Sequence, residues 1–182
     1  YILVNNAGIF FFDDLTGVTE ERLTAMLNLH LQTVTLLCYY FGREMKRHGL
    51  GYILNMSSIS AWMPMPGISV YAASKAYILR LSRSLHDELR DYGITVTAVC
   101  PGAVATGLYP LGDRYKKIAL RTHIMSTPEQ VVRKALKGMF ARKPRVIPEY
   151  TDRFLIACVS MIPAALIRLI KRKAPFYRYG NQ

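Results

Sequence analysis

The chain has 182 residues, of which 51% are hydrophobic, and it carries 24 Lys and Arg against 12 Asp and Glu, for a net charge of +12. This length and apolar content predict a single globular domain over residues 1–182 with a substantial core. The three cysteines are odd in number and lie in apolar runs without metal-ligand spacing. They exclude a complete disulfide framework and indicate buried free thiols in a reducing, cytoplasmic compartment. These cysteines are Cys38, Cys100 and Cys158.

The positive charge is confined to the carboxyl-terminal part of the chain. Residues 1–110 carry eight basic and eight acidic side chains, whereas residues 111–182 carry sixteen basic and four acidic ones. Such asymmetry indicates an anionic partner, either a phospholipid surface or a phosphate-bearing substrate, with a solvated basic surface as the alternative. Nucleic acid is not expected as a partner, because no recognised binding motif accompanies these charges.

Strands and helices alternate along the first hundred residues. Apolar runs of strand length are separated by longer stretches with helical spacing, and Gly49 and Gly93 stand where the helices end. In chain order the pattern predicts strand 2–5, a helix over about 19–47, strand 52–56, a helix over about 69–92, strand 94–99, and then a mainly helical tail with one short strand.

This alternation predicts an α/β fold with a doubly wound, Rossmann-like parallel sheet. The strands are nearly continuous apolar runs, as expected for strands buried on both faces. Ligands of such sheets bind beyond the carboxyl ends of the strands. Gly8, Ser58 and Pro101-Gly102 each follow a predicted strand, so we expect them at one rim of the sheet.

The sequence begins inside an apolar strand. Ile2, Leu3 and Val4 are therefore expected to form an exposed hydrophobic sheet edge, with no earlier strand or helix beside them. The sequence also contains no glycine-rich loop that would bind a cofactor pyrophosphate at a helix N-terminus. We expect this sequence to be the carboxyl-side part of a longer enzyme, lacking the first βαβ portion of the sheet.

Tyr71 is the one tyrosine among twelve that has a lysine, Lys75, four residues later. On a helix, the phenol and the ammonium then lie on one face. A free phenol has a pKa of about 10, and bringing it near 7 requires roughly 4 kcal/mol. An ammonium ~4–5 Å away supplies about that much at an effective dielectric of about 20. The pair predicts a tyrosine general acid/base, and the alternative is an ordinary solvated helix face.

Four further motifs occur around this pair in a fixed order. Asn5-Asn6-Ala7-Gly8 follows the first strand, Asn28 lies in the first long helix, Ser58 stands thirteen residues before Tyr71, and Pro101-Gly102-Ala103-Val104-Ala105-Thr106 follows strand 94–99. In this order and spacing the residues closely resemble the classical short-chain dehydrogenase/reductase family. The resemblance extends from Ile2 to about Thr106, which is more than half of the chain.

The resemblance implies a catalytic tetrad of Asn28, Ser58, Tyr71 and Lys75. Tyr71 would give its proton to a carbonyl oxygen while hydride arrives from a nicotinamide, and Lys75 would lower the Tyr71 pKa and bind the ribose hydroxyls. Ser58 would donate a hydrogen bond to the substrate oxygen, and Asn28 would hold a water molecule that links Lys75 to solvent. Ser57 is the alternative to Ser58, and the thirteen-residue spacing favours Ser58.

The resemblance also implies a nicotinamide cofactor, NADP or NAD, and a small carbonyl or alcohol substrate. The basic character of the chain favours NADP. The four histidines have no ligand spacing, so no metal is expected. The implied cofactor-binding residues are Asn5, Ala7, Gly8, Tyr71, Lys75, Pro101, Gly102, Val104 and Thr106.

The domain divides into three expected segments: the sheet and catalytic core over 1–106, a substrate loop over 107–126, and a basic helical region over 127–182. Phe154 to Ile167 is uncharged, but it is too short to span a membrane and Pro163 interrupts it. We expect it to cover the substrate pocket or a subunit interface, and a peripheral membrane contact is the less favoured alternative. In its apolar tail the sequence resembles members of the family that act on steroid-like or fatty acyl carbonyls.

The two long helices carry apolar residues beyond a single stripe, and in the family such helices form a dimer face that is often extended to a tetramer. We therefore expect a homo-oligomer. The leading interpretation of the sequence is an NAD(P)-dependent oxidoreductase that interconverts a carbonyl and a secondary alcohol. The alternative is a non-catalytic, reductase-like fragment that binds lipid or another subunit.

Overall fold

A computed structural model describes residues 1–63, 65–106, 119–121 and 125–159. Its strands are β1 (Ile2–Asn5), β2 (Gly51–Met56), β3 (Ile94–Val99), β4 (Ala103–Val104), β5 (Met125–Ser126) and β6 (Arg145–Val146). The centre is a sheet of four parallel strands in the order β1-β2-β3-β6, beside a two-stranded parallel sheet of β4 and β5.

The helices follow the strands in alternation, as expected from the sequence. The first two are joined by a π-helical segment, Asn28–Thr33, into one continuous helical run. The helices are α1 (Glu20–Leu27), α2 (Val34–His48), α3 (Ser69–Leu89), α4 (Pro128–Phe140) and α5 (Tyr150–Val159).

Helices cover both faces of the four-stranded sheet, which confirms the doubly wound α/β fold. On one face, α2 and α3 pack on the strands through a core that includes Val34, Ile53 and Ile78. On the other face, α4 contributes Val131 and Met139 to a second apolar cluster against β2 and β3. Because all four strands are parallel, their carboxyl ends lie at one edge of the sheet.

Strand β1 is buried on one face only, unlike β2 and β3. Leu3 and Asn5 point into the core, whereas Ile2 and Val4 remain 53% and 51% exposed. The expected exposed hydrophobic edge is therefore confirmed for these two side chains, and the expectation of burial on both faces is wrong for β1. The reason is local: Ile2 and Val4 point away from the α2–α3 layer, and the apolar cluster that α4 forms on that other face includes residues of β2 and β3 but none of β1.

The expected helix over about 19–47 is present, with a π-helical interruption that the sequence did not reveal. It begins after Thr19, whose side chain accepts from the Arg22 N–H, and it ends at Gly49, which has a left-handed φ of 65°. A π-helical turn holds more residues than an α-helical turn, so side chains after the insertion face a different direction. The insertion shifts the apolar stripe only once, in a helix whose apolar residues extend beyond a single stripe, and periodicity therefore did not reveal it.

The carboxyl-terminal part departs from expectation at two points. Within the expected substrate loop 107–126, residues 107–118 and 122–124 lie outside the described part of the chain, while Met125–Ser126 forms a strand against Ala103–Val104. The expectation that all three cysteines are buried is wrong for Cys158, which is exposed because it lies on the outer side of α5.

The apolar run that begins at Phe154 is helical as far as Val159, and residues 160–182 lie outside the described part of the chain. Within the described ranges, we find no helix with the length and apolar character needed to cross a membrane.

Two left-handed glycines end helical segments and provide a matched test of the fold. Gly49 and Gly93 have φ values of 65° and 74°, but a Cβ at Gly49 would meet open space, whereas a Cβ at Gly93 would overlap the Gly49 carbonyl oxygen. We expect Gly49→Ala to lower the free energy of unfolding by about 1 kcal/mol and Gly93→Ala to lower it by at least about 2 kcal/mol. Urea unfolding of both variants measures the difference, and equal losses would contradict the predicted overlap.

Candidate active site

A cleft of about 460 Å³ opens at the carboxyl ends of the parallel strands. It contains Ser58, Tyr71 and Lys75 of the expected tetrad. It also contains residues of the two glycine-containing turns, the one that follows β1 and includes Gly8 and the one that follows β3 and includes Gly102. The tertiary structure thus brings together groups that are far apart in the chain. The lining residues are Asn6, Gly8, Ile9, Met56, Ser57, Ser58, Tyr71, Lys75, Pro101, Gly102, Val104, Thr106, Pro128, Val131 and Val132.

Tyr71 and Lys75 lie on one face of α3, in its first turns, and both side chains are buried. Lys75 is only 5% exposed, and its Nζ lies 5.5 Å from the centroid of the Tyr71 ring. The same Nζ donates a hydrogen bond of 2.9 Å to the carbonyl oxygen of Met56, at the end of β2. The ammonium is therefore held at the base of the cleft, beside the phenol. The alternative of a solvated helix face does not fit this burial.

Burial lowers the pKa of Lys75 to about 8, because the charged form loses its hydration. The nearby Cys100 opposes this shift only weakly, since burial raises the pKa of its thiol to about 12 and leaves the thiol neutral at physiological pH. Lys75 therefore remains mostly protonated near pH 7. A cation in so dry a position acts on a neighbouring phenol more strongly than it would in water.

The two adjacent serines have different partners. Ser57 donates its hydroxyl hydrogen to the backbone oxygen of Lys75 at 2.7 Å, which ties the end of β2 to α3. Ser58 Oγ accepts the Ser60 N–H at 3.1 Å, and its own hydrogen has no acceptor among the described residues. Both serines line the cleft, but the Ser58 hydroxyl is the one that can still donate to a ligand. This geometry supports the preference for Ser58 over Ser57.

Asn28 and two of the expected cofactor-binding residues do not line the cleft. Asn28 is the first residue of the π-helical segment and is exposed. Asn5 is buried behind the cleft, where its Nδ2 donates to Asn55 Oδ1 at 2.7 Å, so it stabilises the sheet. Ala7 is exposed, and its neighbours Asn6 and Gly8 line the cleft instead.

His30 is a site-supporting residue that sequence reasoning missed. It is fully buried, and its Nε2 accepts the Ile9 N–H at 3.1 Å. Its Nδ1 lies 2.8 Å from Ser74 Oγ, and Ser74 donates its hydrogen to the Tyr71 backbone oxygen, so Nδ1 carries the proton. Burial, together with the charge of Lys75, lowers the pKa of His30 to about 4, and the ring is neutral at physiological pH. His30 therefore joins the turn after β1 to the helix that carries Tyr71.

No sequence signal identified His30, because a lone histidine in a helix is usually exposed. Its direction depends on the π-helical segment in which it lies. The cleft-lining residues Asn6, Ile9, Met56, Pro128, Val131 and Val132 were also not expected from the sequence.

Two glycines of the cleft lie where an added side chain would meet a neighbouring group. A Cβ at Gly8 would lie 3.3 Å from His30 Nε2 and 3.6 Å from Lys75 Nζ. A Cβ at Gly102 would overlap the carboxylate of Asp152. The cleft also contains the polar side chains of Ser58, Tyr71 and Lys75, which suit the ribose and carboxamide groups of a nicotinamide riboside. The residues present therefore fit a nicotinamide cofactor. Within the described ranges, no group of three or more His, Cys, Asp or Glu side chains has the arrangement of a metal site.

Known proteins match the part of the chain that forms most of the cleft. The family model described as short chain dehydrogenase matches residues 1–111. The chain belongs to the short-chain dehydrogenase family. The part of the chain that the model matches contains Ser58, Tyr71 and Lys75, as well as both glycine-containing turns that line the cleft.

Individual relatives of this family match the chain over most of its length. An uncharacterised oxidoreductase of Thermotoga maritima is 35% identical over 133 residues, which cover 73% of this chain and 49% of the relative. The very-long-chain 3-oxoacyl-CoA reductase of Anas platyrhynchos is 33% identical over 140 residues, covering 74% of this chain and 42% of the relative. The chain thus spans about half or less of the length of these two relatives.

A solved structure gives the same fold. The short-chain dehydrogenase of Sphingobium yanoikuyae in complex with NADPH has a TM-score of 0.72 and 28% sequence identity. The comparison covers 90% of this chain and 66% of that one.

The buried lysine predicts a specific pH dependence of stability. Because the pKa of Lys75 is about 8 in the folded protein against 10.5 ordinarily, the unfolded chain binds more protons between these two pH values. The free energy of unfolding should therefore rise with pH across this window, by up to about 3 kcal/mol from this group. Lys75→Met lacks this contribution. The free energy of unfolding of the wild type minus that of the variant should therefore increase by that amount between pH 8 and pH 10.5.

Urea unfolding at several pH values measures this difference. Lys137→Met is the matched control, because Lys137 is an exposed lysine of α4. A stability difference for Lys75→Met that stays constant with pH would contradict the assigned burial.

Proposed function

We propose that the protein is an NAD(P)-dependent oxidoreductase that interconverts a carbonyl and a secondary alcohol, with Tyr71 as the general acid/base. The observation that carries this proposal is the buried Lys75 ammonium beside the Tyr71 ring, with Ser58 in the same cleft. Family membership adds independent support. A lysine this buried lowers stability, so its retention beside a phenol suits a chemical role rather than a structural one.

Ser58, Tyr71 and Lys75 each have a separate role in the proposed reaction. Ser58 donates a hydrogen bond to the substrate oxygen and orients it toward Tyr71. Tyr71 transfers its phenolic proton to that oxygen during reduction and takes it back during oxidation. Lys75 stabilises the phenolate form of Tyr71, which brings proton transfer closer to neutral pH.

The cofactor-binding residues surround the same cleft. Gly8, Gly102, Val104, Thr106 and Lys75 would hold a nicotinamide cofactor, which supplies or accepts the hydride when it is bound. Lys75 Nζ lies near Gly8 and would reach ribose hydroxyls there. Asn28 would have its role through a water molecule rather than through direct contact, which is consistent with its position outside the lining.

NADP is the favoured cofactor within this proposal. The net charge of +12 suits the additional phosphate of NADP, and the structurally similar dehydrogenase of Sphingobium yanoikuyae was solved with NADPH. Comparison of kcat/KM for NADPH and NADH in the full-length protein tests the preference, and a higher value with NADH would contradict it.

An apolar carbonyl is the favoured substrate. Ile9, Met56, Val131 and Val132 give the cleft an apolar wall beside the catalytic groups. A related protein of Anas platyrhynchos is named a very-long-chain 3-oxoacyl-CoA reductase, which is consistent with such a substrate. A panel of steroid ketones, 3-oxoacyl thioesters and small sugar ketones would separate these classes by kcat/KM.

We also propose that the protein forms a homo-oligomer through α2 and α3. Leu36, Tyr39, Tyr40 and Phe41 on α2 and Tyr77 on α3 are exposed, and they supply the apolar area that such an interface needs. Light scattering at micromolar concentration should give a dimer or tetramer mass, and replacing Tyr40 by Lys should reduce it. A monomer mass for the wild-type protein would contradict the proposal.

Substitution of the proposed acid/base gives the most direct test. Tyr71→Phe removes only the hydroxyl, so we expect kcat to fall by about 10²–10⁴-fold or more while the fold is retained. Tyr92→Phe is the matched control, because Tyr92 is an exposed tyrosine outside the cleft and its ring contact with Lys46 survives the change.

Steady-state kinetics and thermal unfolding of both variants provide the measurement. Near-normal turnover by Tyr71→Phe would overturn the assignment. Cofactor-free binding of lipid or a protein subunit, without turnover by the wild-type protein, would instead favour the non-catalytic alternative.

A further inference from the structure

Asp152 is a buried carboxylate on a helix whose other described side chains are mostly exposed. It is 8% exposed, whereas Tyr150 and Phe154 on the same helix, α5, face solvent. Its Oδ2 accepts the backbone N–H of Gly102 at 2.9 Å. A buried carboxylate is unfavourable unless hydrogen bonds compensate for its lost hydration. The hydrogen bond from Gly102 therefore indicates what the Asp152 carboxylate does.

The electrostatic surroundings of Asp152 are mixed. Burial raises the pKa of its carboxyl group, the hydrogen bond from Gly102 lowers it, and the nearby Glu149 and Lys134 act in opposite directions. No close ion pair with Asp152 occurs among the described residues, so the Gly102 N–H is its principal partner there.

Gly102 belongs to the segment 101–106, which we call the nicotinamide loop because it contains the residues expected to contact that ring. Pro101, Gly102, Val104 and Thr106 of this loop line the cleft. Only glycine leaves room for the Asp152 carboxylate at position 102, since a Cβ there would overlap it. The two residues are fifty positions apart in the chain and form a side-chain-to-backbone contact between α5 and the loop.

Neighbouring contacts hold the loop from other directions. Pro101 O accepts the Ile59 N–H at 3.0 Å, and Ala105 N–H donates to Ser126 O at 2.9 Å. Ser126 Oγ in turn donates to Glu149, which is paired with Lys134 at 2.7 Å. Glu149 and Asp152 therefore place the start of α5 against both β5 and the loop.

We propose that Asp152 is a positioning residue: by accepting the Gly102 amide hydrogen, it holds the nicotinamide loop in the conformation that presents Val104 and Thr106 to the cofactor. This inference rests on the proposed function for its effect on the cofactor, while the anchoring itself rests on the contact between Asp152 and Gly102. Helix α5 would thereby act on the active site without lining it.

The test compares three single substitutions in the full-length protein. Asp152→Leu has a similar size and no acceptor, whereas Asp152→Asn keeps an amide oxygen that can accept the same N–H. Arg153→Leu is the matched control, because Arg153 is an exposed, charged residue on the same helix whose side chain lies over the Tyr150 ring. Two measurements are made on each protein: amide hydrogen exchange of the peptide covering 100–106, and titration with NADPH followed by steady-state kinetics.

In Asp152→Leu, we expect exchange at the loop to accelerate and the KM for NADPH to rise, each by about tenfold or more, with a smaller change in kcat. Asp152→Asn should restore values near those of the wild type, and Arg153→Leu should leave both unchanged. Exchange in β2, measured in the same experiment, should stay constant, which separates loop release from general unfolding. If Asp152→Leu fails to fold, Gly102→Ala displaces the carboxylate from the other side, and faster amide exchange over 100–106 in that variant is the deciding measurement, because its cofactor KM also reports the contact of Gly102 itself with the cofactor.

Unchanged loop exchange and cofactor KM in Asp152→Leu would overturn the inference, as would equal effects from Arg153→Leu. An Asp152→Asn variant as impaired as Asp152→Leu would also overturn it, because the hydrogen-bond acceptor would then not be the cause. The outcomes separate from the proposed function: a wild-type protein that binds neither NADPH nor NADH contradicts the function, while the exchange data still decide whether Asp152 anchors the loop.

Discussion

The Lys75 ammonium has to remain charged in a nearly dry position, and much of the surrounding structure is arranged around that requirement. Its Nζ donates to the carbonyl oxygen of Met56 at 2.9 Å, so the amino-terminal turns of α3 must lie against the end of β2. Ser57 holds them there through its hydrogen bond to the Lys75 backbone. The burial that lowers the pKa of Lys75 to about 8 strengthens its field at Tyr71 and at the same time lowers stability. Reactivity and stability are thus opposed at this residue.

Buried polar networks behind the cleft keep this arrangement in place. Asn5 donates to Asn55, which donates to Ser82 on α3, and this chain joins β1 and β2 to the helix. His30 makes a second connection, from the turn after β1 to Ser74 on the same helix. Satisfied networks of this kind favour one arrangement of the elements over others, because any displacement leaves a buried polar group without a partner. Asn5, expected to line the cofactor site, contributes by orienting the sheet from which that site is built.

The fold was predictable from the sequence because its signals are local. The alternation of apolar strands with helices predicted the parallel sheet, and Gly49 and Gly93 correctly marked where helical segments end. The departures have a different origin. The π-helical segment Asn28–Thr33 changes the direction of the side chains within and after it, so the inward position of His30 could not be seen from the apolar spacing.

The sequence by itself determined the identity and spacing of the catalytic candidates. Tyr71 and Lys75 are one helical turn apart and Ser58 lies two residues after the end of β2, so their placement at the cleft needed only local geometry. Tertiary structure alone decided that Ser57 binds the backbone of α3 while Ser58 retains a hydrogen to donate, and that Asp152 meets Gly102. Such choices depend on how helices pack against the sheet, since a contact between residues fifty positions apart is fixed by shape and burial and leaves no periodic trace in the chain.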